Sequence, residues 1–235
     1  MADPKTLVIV SCKKIKSNLS QFIINGIKFI VTISIGSLGF ALTIYLSGLT
    51  KNQIQISSFV AFINICGYSF TVGLGIGDAV RIKIGNLIGE KKFLQAKNKA
   101  WFYIFITFAF GAIYGIIMFY SRDKIASLYS SLDEIQNCLE EILFWYGIGY
   151  MFEFSIGTLN VVMRLVGYAS VMIWCSFVYY ILVWGGLSLL LGFGLGYGVV
   201  GIAQAYIIAQ VLVSLSYVAV LLKFDWNMLK IEKDE

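Results

Sequence analysis

Ionisable side chains inside long apolar segments are the residues of this sequence that could do chemistry. Asp78, Arg81 and Lys83 lie close together in the stretch VGLGIGDAVRIKIGNLIGE, residues 72–90. An Asp, Lys or Arg at the centre of a membrane helix costs ~2.5–3.5 kcal/mol. Asp78 and Arg81 stand three residues apart, so on a helix they share a face and can neutralise each other. There are two interpretations of this pair. Either the two charges neutralise each other near a helix end, where Arg81 and Lys83 reach the headgroups, or they belong to a polar element that faces a solute cavity.

Glu153 is the second candidate, because it lies near the middle of a predicted span among aromatic neighbours such as Tyr150 and Phe154. A carboxyl group at that depth could bind and release a proton as a cavity opens to either side of the membrane. Alternatively it is a neutral acid that hydrogen-bonds a neighbouring helix. We therefore treat Glu153 as a candidate for ion coupling, and Asp78, Arg81 and Asn160 as candidates for a cavity or polar network.

Other chemistry is not predicted. The sequence has no histidine, and its four cysteines lack a CxxC spacing, so we interpret them as packed thiols and expect no metal site. Gly73, Gly75 and Gly77 follow a G-x-G-x-G pattern, but they lie within an apolar helix and not in a strand–turn–helix nucleotide loop. No catalytic constellation, cofactor or nucleic-acid surface is recognised, so an enzyme is not predicted.

The elements that must position these residues are membrane helices. Hydrophobic residues make up 59% of the chain and charged residues 13%, and a helix needs ~20 apolar residues to cross a bilayer. We predict an all-α, multi-pass membrane protein with a basic lead (1–20), a six-helix lobe (21–222) and a charged tail (223–235). The predicted spans are about 22–49, 54–89, 100–120, 142–163, 169–191 and 199–222. Between the third and fourth spans, Ile125, Leu128 and Ile135 suggest a short surface helix.

The distribution of Lys and Arg predicts the orientation. An even number of spans places both termini on one side, and that side carries twelve basic residues against three on the other. Because basic residues concentrate on the cytoplasmic side, both termini are predicted to be cytoplasmic. The membrane itself, plasma membrane or organelle, stays open.

Three motifs resemble the multidrug and toxic compound extrusion (MATE) transporters. The stretch from Val72 is similar to the family's V-P-L-G-L-S-x-A-x-S-V-R-V-G-N-x-L-G-A. FEFSIGTLNVVMRLVG, residues 152–167, resembles F-D-x-x-Q-x-x-x-x-G-V-L-R-G-x-G, with Glu153 at the acidic position. A third stretch, 180–201, resembles Y-Y-L-V-G-x-P…L-x-F-x-x-x-x-G-V-x-G. Residues that match the motifs and to which we assign structural roles are Lys83, Gly85, Asn86, Gly89, Arg164 and Gly167.

The resemblance covers about residues 21–222 and implies the C-terminal six-helix lobe of a twelve-helix transporter. It implies antiport of organic cations or drug-like metabolites (multidrug or xenobiotic efflux), coupled to H⁺ or Na⁺, in a unit completed by a second copy or a separate N-terminal lobe. Eukaryotic members usually carry an acid in the first helix of this lobe, where this chain has Ala41. The alternative is therefore a truncated, non-transporting paralogue that associates with or regulates a full-length transporter.

Overall fold

The computed structural model of the chain describes residues 12–226, so most of the predicted basic lead and charged tail lies outside the described residues. Within 12–226 there are six long helices and no strand, which confirms the predicted fold class. All six are long and apolar enough to cross a membrane. They are α1 (Cys12–Leu49), α2 (Gln53–Gly89), α3 (Phe93–Tyr129), α4 (Asp133–Leu165), α5 (Ala169–Gly194) and α6 (Gly198–Lys223).

Several helices are longer than the bilayer requires. α2 and α3 each have 37 residues, which corresponds to roughly 55 Å of helix against a hydrocarbon core of ~30 Å. The separate surface helix predicted between the third and fourth spans is wrong. Ile125 and Leu128 belong to the end of α3 and Ile135 to the start of α4. Residues 121–129 contain no glycine or proline, so nothing in that stretch interrupts the helical hydrogen bonds of α3.

α4 is the central helix of the bundle. In its most apolar stretch 67% of the residues are buried, against 22–44% in the other five helices. It packs against α2, α3 and α6. This arrangement buries most of the side chains in the middle of α4, including that of Glu153, inside the lobe, whereas Ile148 on the opposite face is 54% exposed.

Glycines allow the neighbouring helices to approach α4 closely. A Cβ atom on Gly77 of α2 would lie 2.8 Å from the carbonyl oxygen of Gly157 in α4, and one on Gly157 would lie 2.5 Å from the oxygen of Gly73. A Cβ atom on Gly111 of α3 would lie 2.7 Å from the Cα of Met151. Small residues at such contacts are how membrane helices gain van der Waals packing in the absence of a hydrophobic driving force.

α5 departs from regular α-helix twice, with π-helical segments at Phe177–Val183 and Ser188–Gly194. Trp184 lies between them and is fully buried. Its ring meets Phe40 of α1 edge-on at 5.0 Å and lies 4.8 Å from the ring of Tyr206 in α6. These aromatic contacts tie α1, α5 and α6 together on one side of α4.

The outer surface of the bundle is apolar. Large hydrophobic side chains remain exposed on the outward faces of the helices, as for Phe105 (73%) and Ile116 (58%) of α3. A water-soluble monomer rarely exposes a continuous apolar surface of this kind. The side chains of the outer surface thus match a lipid environment, in agreement with six membrane-spanning helices.

Candidate functional site

Glu153 lies on the inner side of α4 and is only 2% exposed. Neither of its carboxyl oxygens has a hydrogen-bond partner among the described residues. A buried polar group without a partner is costly, and a buried ionised carboxylate is far more so. Glu153 is therefore a buried acid without a hydrogen-bond partner, and the neighbouring side chains determine its chemistry.

Two tyrosine hydroxyls face the Glu153 carboxyl, one from Tyr146 of α4 and one from Tyr206 of α6. Both are near enough to interact with it, although neither meets the geometry of a hydrogen bond to a carboxyl oxygen. The thiol of Cys66 from α2 lies beside Tyr146 and Glu153. The carboxyl group is thus surrounded by groups from α2, α4 and α6.

A chain of hydrogen bonds leads from Tyr206 to α5. Tyr180 donates its hydroxyl proton to Oε1 of Gln210 at 3.1 Å, and Nε2 of Gln210 donates to the hydroxyl of Tyr206 at 2.8 Å. Because the Tyr206 hydroxyl accepts this bond, its own proton remains available for a neighbouring acceptor such as Glu153. We call Cys66, Tyr146, Glu153, Tyr180, Tyr206 and Gln210 the Glu153 cluster.

The groups around Glu153 are ones that can exchange a proton. A carboxyl group alone in an apolar interior is stable only when neutral, when paired or when it has a cation beside it. The tyrosine hydroxyls can donate to the ionised form, and their oxygens can accept from the protonated form. No group of three or more His, Cys, Asp or Glu residues that could hold a metal is found within residues 12–226.

Asp78 and Arg81 form the predicted pair, with 3.4 Å between the carboxylate and guanidinium groups. Both side chains are exposed, by 62% and 56% respectively, on the outer face of α2. Arg164, near the end of α4, is within electrostatic range of both. Its Nε also donates to the backbone oxygen of Asn160 at 3.2 Å. Asp78, Arg81 and Arg164 thus form one charged group, to which Asn160 contributes its backbone oxygen and which is separate from the buried Glu153.

Arg164 also connects α4 to α1. Its guanidinium lies over the ring of Phe29, 4.0 Å from the ring centre, which is a favourable position for a cation against an aromatic face. The arginine at this motif position therefore has a packing role as well as a charge, since its guanidinium lies against Phe29 in the middle of α1.

The remaining motif residues have local structural roles or stay exposed. Gly167 has a φ of +86°, and the turn after α4 is closed by bonds from Gly167 N to Arg164 O (3.1 Å) and from Tyr168 N to Met163 O (2.9 Å). This is the Schellman pattern, in which glycine is preferred at the left-handed position.

The other motif residues lie on α2. Gly85 packs near Leu165. Lys83, Asn86 and Gly89 are exposed on the last turns of α2.

The position in the first helix at which the resemblance implies an acid lies outside the core. Ala41 is exposed on α1, whereas the preceding residue, Phe40, turns inward against Trp184. An acid at position 41 would therefore face away from the Glu153 cluster, and its absence does not alter the hydrogen bonds of the cluster.

Sequence reasoning missed most of the Glu153 cluster. Tyr206 and Gln210, which lie in the last span, are not among the residues that the sequence predicts to do chemistry. A signal was present, because Gln210 is an amide side chain in the middle of an apolar span, where a polar group needs a partner. The partners themselves, Tyr180 and Tyr206, depend on how α5 and α6 pack.

Comparison with known proteins places this arrangement in a family. The protein-family model described as MatE matches residues 19–190. Multidrug and toxin extrusion protein 1 of Danio rerio is 23% identical over 184 residues, covering 78% of this chain and 31% of that protein. Protein DETOXIFICATION 35 of Arabidopsis thaliana is 23% identical over 185 residues, covering 78% of this chain and 38% of its own length. The chain thus spans about a third of the length of these relatives.

The fold agrees with this match. A structure of a MOP superfamily transporter from Pyrococcus furiosus superposes on 83% of this chain and on 43% of its own, with a TM-score of 0.72 and 22% sequence identity. The six helices therefore have the fold of one lobe of such a transporter. This chain belongs to the MatE family, which consists of transporters and not enzymes, and it is an integral, multi-pass membrane protein.

Proposed function

We propose that this chain forms one six-helix lobe of a secondary transporter that exchanges organic cations or drug-like metabolites for H⁺ or Na⁺. The complete unit would contain twelve spans, completed by a second copy of the chain or by a separate N-terminal lobe. Transport would proceed by alternating access, in which the two lobes rock against each other around a central cavity. The relatives named as multidrug and toxin extrusion proteins support the solute class.

The observation that carries the coupling role is the buried, unpartnered carboxyl of Glu153. Its tyrosine neighbours come from α4 and α6, so a small relative movement of these helices changes which hydroxyls the carboxyl can reach. Binding a proton or Na⁺ at Glu153 would favour one packing of these helices, and releasing it would favour the other. A ligand shifts such an equilibrium only through its different affinity for the two states.

The exposed polar group on α2 and α4 is proposed to line the solute path. The side chains of Asp78 and Arg81 are more than half exposed in this lobe, and charges within a membrane helix normally face a partner or a water-filled cavity. Placing the second lobe over this face would enclose them, together with Asn160 and Arg164, at the edge of the central cavity.

The test of coupling is the substitution Glu153→Gln, which keeps the size of the side chain but removes its charge and its exchangeable acidic proton. Membrane vesicles containing the complete transporting unit are loaded with a fluorescent organic cation, and efflux is followed with and without an imposed pH or Na⁺ gradient. We expect the gradient to accelerate efflux by the unsubstituted protein and to have no effect on the variant. Glu141→Gln, at an exposed position of the same helix, is the control. Gradient-driven efflux that persists in Glu153→Gln would remove Glu153 from the mechanism.

The twelve-span unit is tested separately. Size analysis in detergent by multi-angle light scattering should find the active material at the mass of two lobes. A transport-competent preparation that is monomeric, with a protein mass of 26.2 kDa, would contradict the two-lobe proposal.

The competing proposal is a non-transporting paralogue that binds or regulates a full-length transporter. The exposed alanine at position 41 favours it, because the acid that eukaryotic relatives usually carry there is missing. Coexpression with full-length relatives distinguishes the two. The regulator proposal would be favoured if this chain captures a full-length relative and if cells that express this chain without a relative show no cation efflux.

A further inference from the structure

A row of side-chain hydroxyl groups leads from Glu153 to the outer surface of α3. It begins at Tyr146, which belongs to the Glu153 cluster, and continues through three residues outside that cluster, namely Ser69 of α2, Tyr150 of α4 and Tyr114 of α3. Ser69 and Tyr150 are buried, whereas Tyr114 is 40% exposed. We call Tyr146, Ser69, Tyr150 and Tyr114 the hydroxyl row. It connects the interior of the lobe with its surface.

Ser69 lies between the two buried tyrosines of the row. Its side chain is near enough to interact with both Tyr146 and Tyr150. The packing of α2 on α4 explains this position. Gly73 is four residues further along α2 and therefore on the same face as Ser69, and a Cβ atom on Gly73 would lie 3.0 Å from the carbonyl oxygen of Phe154. The close approach at Gly73 thus brings Ser69 up to α4.

Ring contacts hold the three tyrosines of the row in order. The rings of Tyr146 and Tyr150 are nearly perpendicular, with centres 5.4 Å apart, and the rings of Tyr150 and Tyr114 stack at 4.6 Å. At the surface, Tyr114 is within electrostatic range of Tyr129, the last residue of α3, and Tyr129 is within range of Tyr68 on α2. All three of these tyrosines are exposed. The row therefore leads towards the end of the lobe that carries the α3–α4 connection.

The buried part of the row contains polar atoms without partners. Within residues 12–226, no hydrogen bond reaches Oγ of Ser69, the hydroxyl of Tyr146 or either carboxyl oxygen of Glu153. An unsatisfied buried polar atom is costly, and these atoms are neighbours, so rotation of the hydroxyl groups should let them bond to one another. A hydroxyl can donate one hydrogen bond while it accepts another, which is the property that a proton relay requires.

The branch of the Glu153 cluster that leads to α5 is less suited to carry a proton. Gln210 donates to Tyr206 and accepts from Tyr180, and its amide group has no hydroxyl proton to pass on. This branch therefore positions the Tyr206 hydroxyl. The titratable groups within electrostatic range of Glu153 come from four helices and are Cys66 of α2, Tyr146 and Tyr150 of α4, Tyr180 of α5 and Tyr206 of α6.

We propose that the hydroxyl row carries protons between Glu153 and water at the end of the lobe that holds the α3–α4 connection. On release, Glu153 gives its proton to the Tyr146 oxygen while Tyr146 gives its own proton to Ser69. Ser69 and Tyr150 pass on their protons in the same way, and Tyr114 releases one to water. Every hydroxyl ends neutral, Glu153 ends ionised and one proton has moved outwards; uptake is the reverse. The proposal rests on the proposed function in one respect, namely that Glu153 binds H⁺.

The test measures how fast Glu153 gains a proton in the full chain reconstituted in lipid. A flash of light releases protons from a caged acid, and time-resolved infrared spectroscopy follows the carbonyl band of the protonated carboxyl, which is assigned by its absence from Glu153→Gln. We expect Ser69→Ala and Tyr150→Phe each to slow protonation roughly a hundredfold, with the pH midpoint and the final amplitude of the band unchanged. Ser69→Thr keeps a hydroxyl and should keep the rate.

Two matched controls remove buried hydroxyls outside the row. Ser58→Ala changes a buried serine of the same helix as Ser69, and Tyr217→Phe changes a buried tyrosine of α6. Both should leave the rate unchanged, and circular dichroism of every variant checks that the helices are retained.

The possible failures of this proposal and of the proposed function are distinguishable. Unchanged rates in both Ser69→Ala and Tyr150→Phe would overturn the route and leave ion coupling at Glu153 standing. Controls that slow as much as the row variants would also overturn it. If Glu153→Gln lacks no pH-dependent carbonyl band, Glu153 does not exchange a proton, and proton coupling at Glu153 is overturned together with the route.

Discussion

Gly77 of α2 and Gly157 of α4 touch backbone to backbone, so that a Cβ atom on Gly77 would lie 2.8 Å from the carbonyl oxygen of Gly157. This contact places α2 directly against the central helix, within one turn of Glu153. The position of the Glu153 cluster therefore depends on glycine at position 77 as well as on the polar residues of the cluster.

Substitution of Gly77 by alanine should destabilise the lobe. The new methyl group meets backbone atoms that cannot rotate away, so α2 and α4 must separate, at a cost of about 1–3 kcal/mol. The measurement is the thermal unfolding midpoint in detergent, which should fall. Gly75→Ala is the control, because nothing lies within 4 Å of its Cβ position. There, the better helix propensity of alanine should leave stability unchanged or raise it by up to ~1 kcal/mol. Equal midpoints for the two variants would contradict the close α2–α4 contact.

Removal of the Tyr206 hydroxyl, which belongs to the Glu153 cluster, should lower the stability of the folded lobe. Tyr206→Phe leaves Nε2 of Gln210 without its acceptor at 2.8 Å, and a lost hydrogen bond in a membrane interior costs ~0.5–1.5 kcal/mol. The variant should unfold at a lower temperature, or at a lower concentration of denaturing detergent, than the unsubstituted chain. Tyr68→Phe, at a position that is 74% exposed, should not change the midpoint. A Tyr206→Phe protein as stable as the control would show that this bond contributes nothing to folding.

Gly167 should tolerate a side chain poorly for a backbone reason. Its φ of +86° lies in the left-handed region, where an L-residue with a Cβ costs ~1–2 kcal/mol. Gly167→Ala should lower the unfolding midpoint, and Gly167→Asn should lower it less, because Asn is the residue that most often replaces glycine there. Gly89→Ala is the comparison, since Gly89 has open space around it and no positive φ. A lower unfolding midpoint for Gly167→Asn than for Gly167→Ala would argue against a left-handed backbone conformation at this turn.

The predicted orientation can be tested with reporters at the two ends of the chain. The excess of lysines on one side predicts that both termini are cytoplasmic, so a fluorescent protein fused to either end should fold and fluoresce. A glycosylation or alkaline phosphatase tag in the 130–132 connection should report the opposite side. Termini found on different sides would contradict an even number of spans.

The Asp78–Arg81 ion pair should contribute little to stability by itself. Both groups are more than half exposed in this lobe, and exposed pairs three residues apart on a helix contribute ~0.2–0.5 kcal/mol. A double-mutant cycle with Asp78→Asn and Arg81→Gln, measured by thermal unfolding at low salt, should give a coupling of this size, and 1 M salt should reduce it. A coupling of several kcal/mol would mean that the pair is buried in the protein as it exists in detergent.

The sequence was enough to predict the elements and the family. Long apolar runs separated by charged or glycine-containing turns predict six helices without any knowledge of their packing, because the bilayer fixes how long such a run must be. The i, i+3 spacing of Asp78 and Arg81 predicts their pairing, since it depends on a single helix. The MatE resemblance likewise followed from motifs read along the chain.

The tertiary structure decided which of the polar residues is enclosed. Asp78 and Glu153 looked similar in sequence, as acids within apolar helices, but one is exposed on the outer face of α2 and the other is buried in α4. Only the packing of α2, α3 and α6 around α4 makes this difference, through contacts such as that of Gly77 with Gly157. Those contacts join residues that are far apart in the chain, so no local pattern could reveal them. For the same reason, Tyr180, Tyr206 and Gln210 acquired a role only once α5 and α6 were placed beside Glu153.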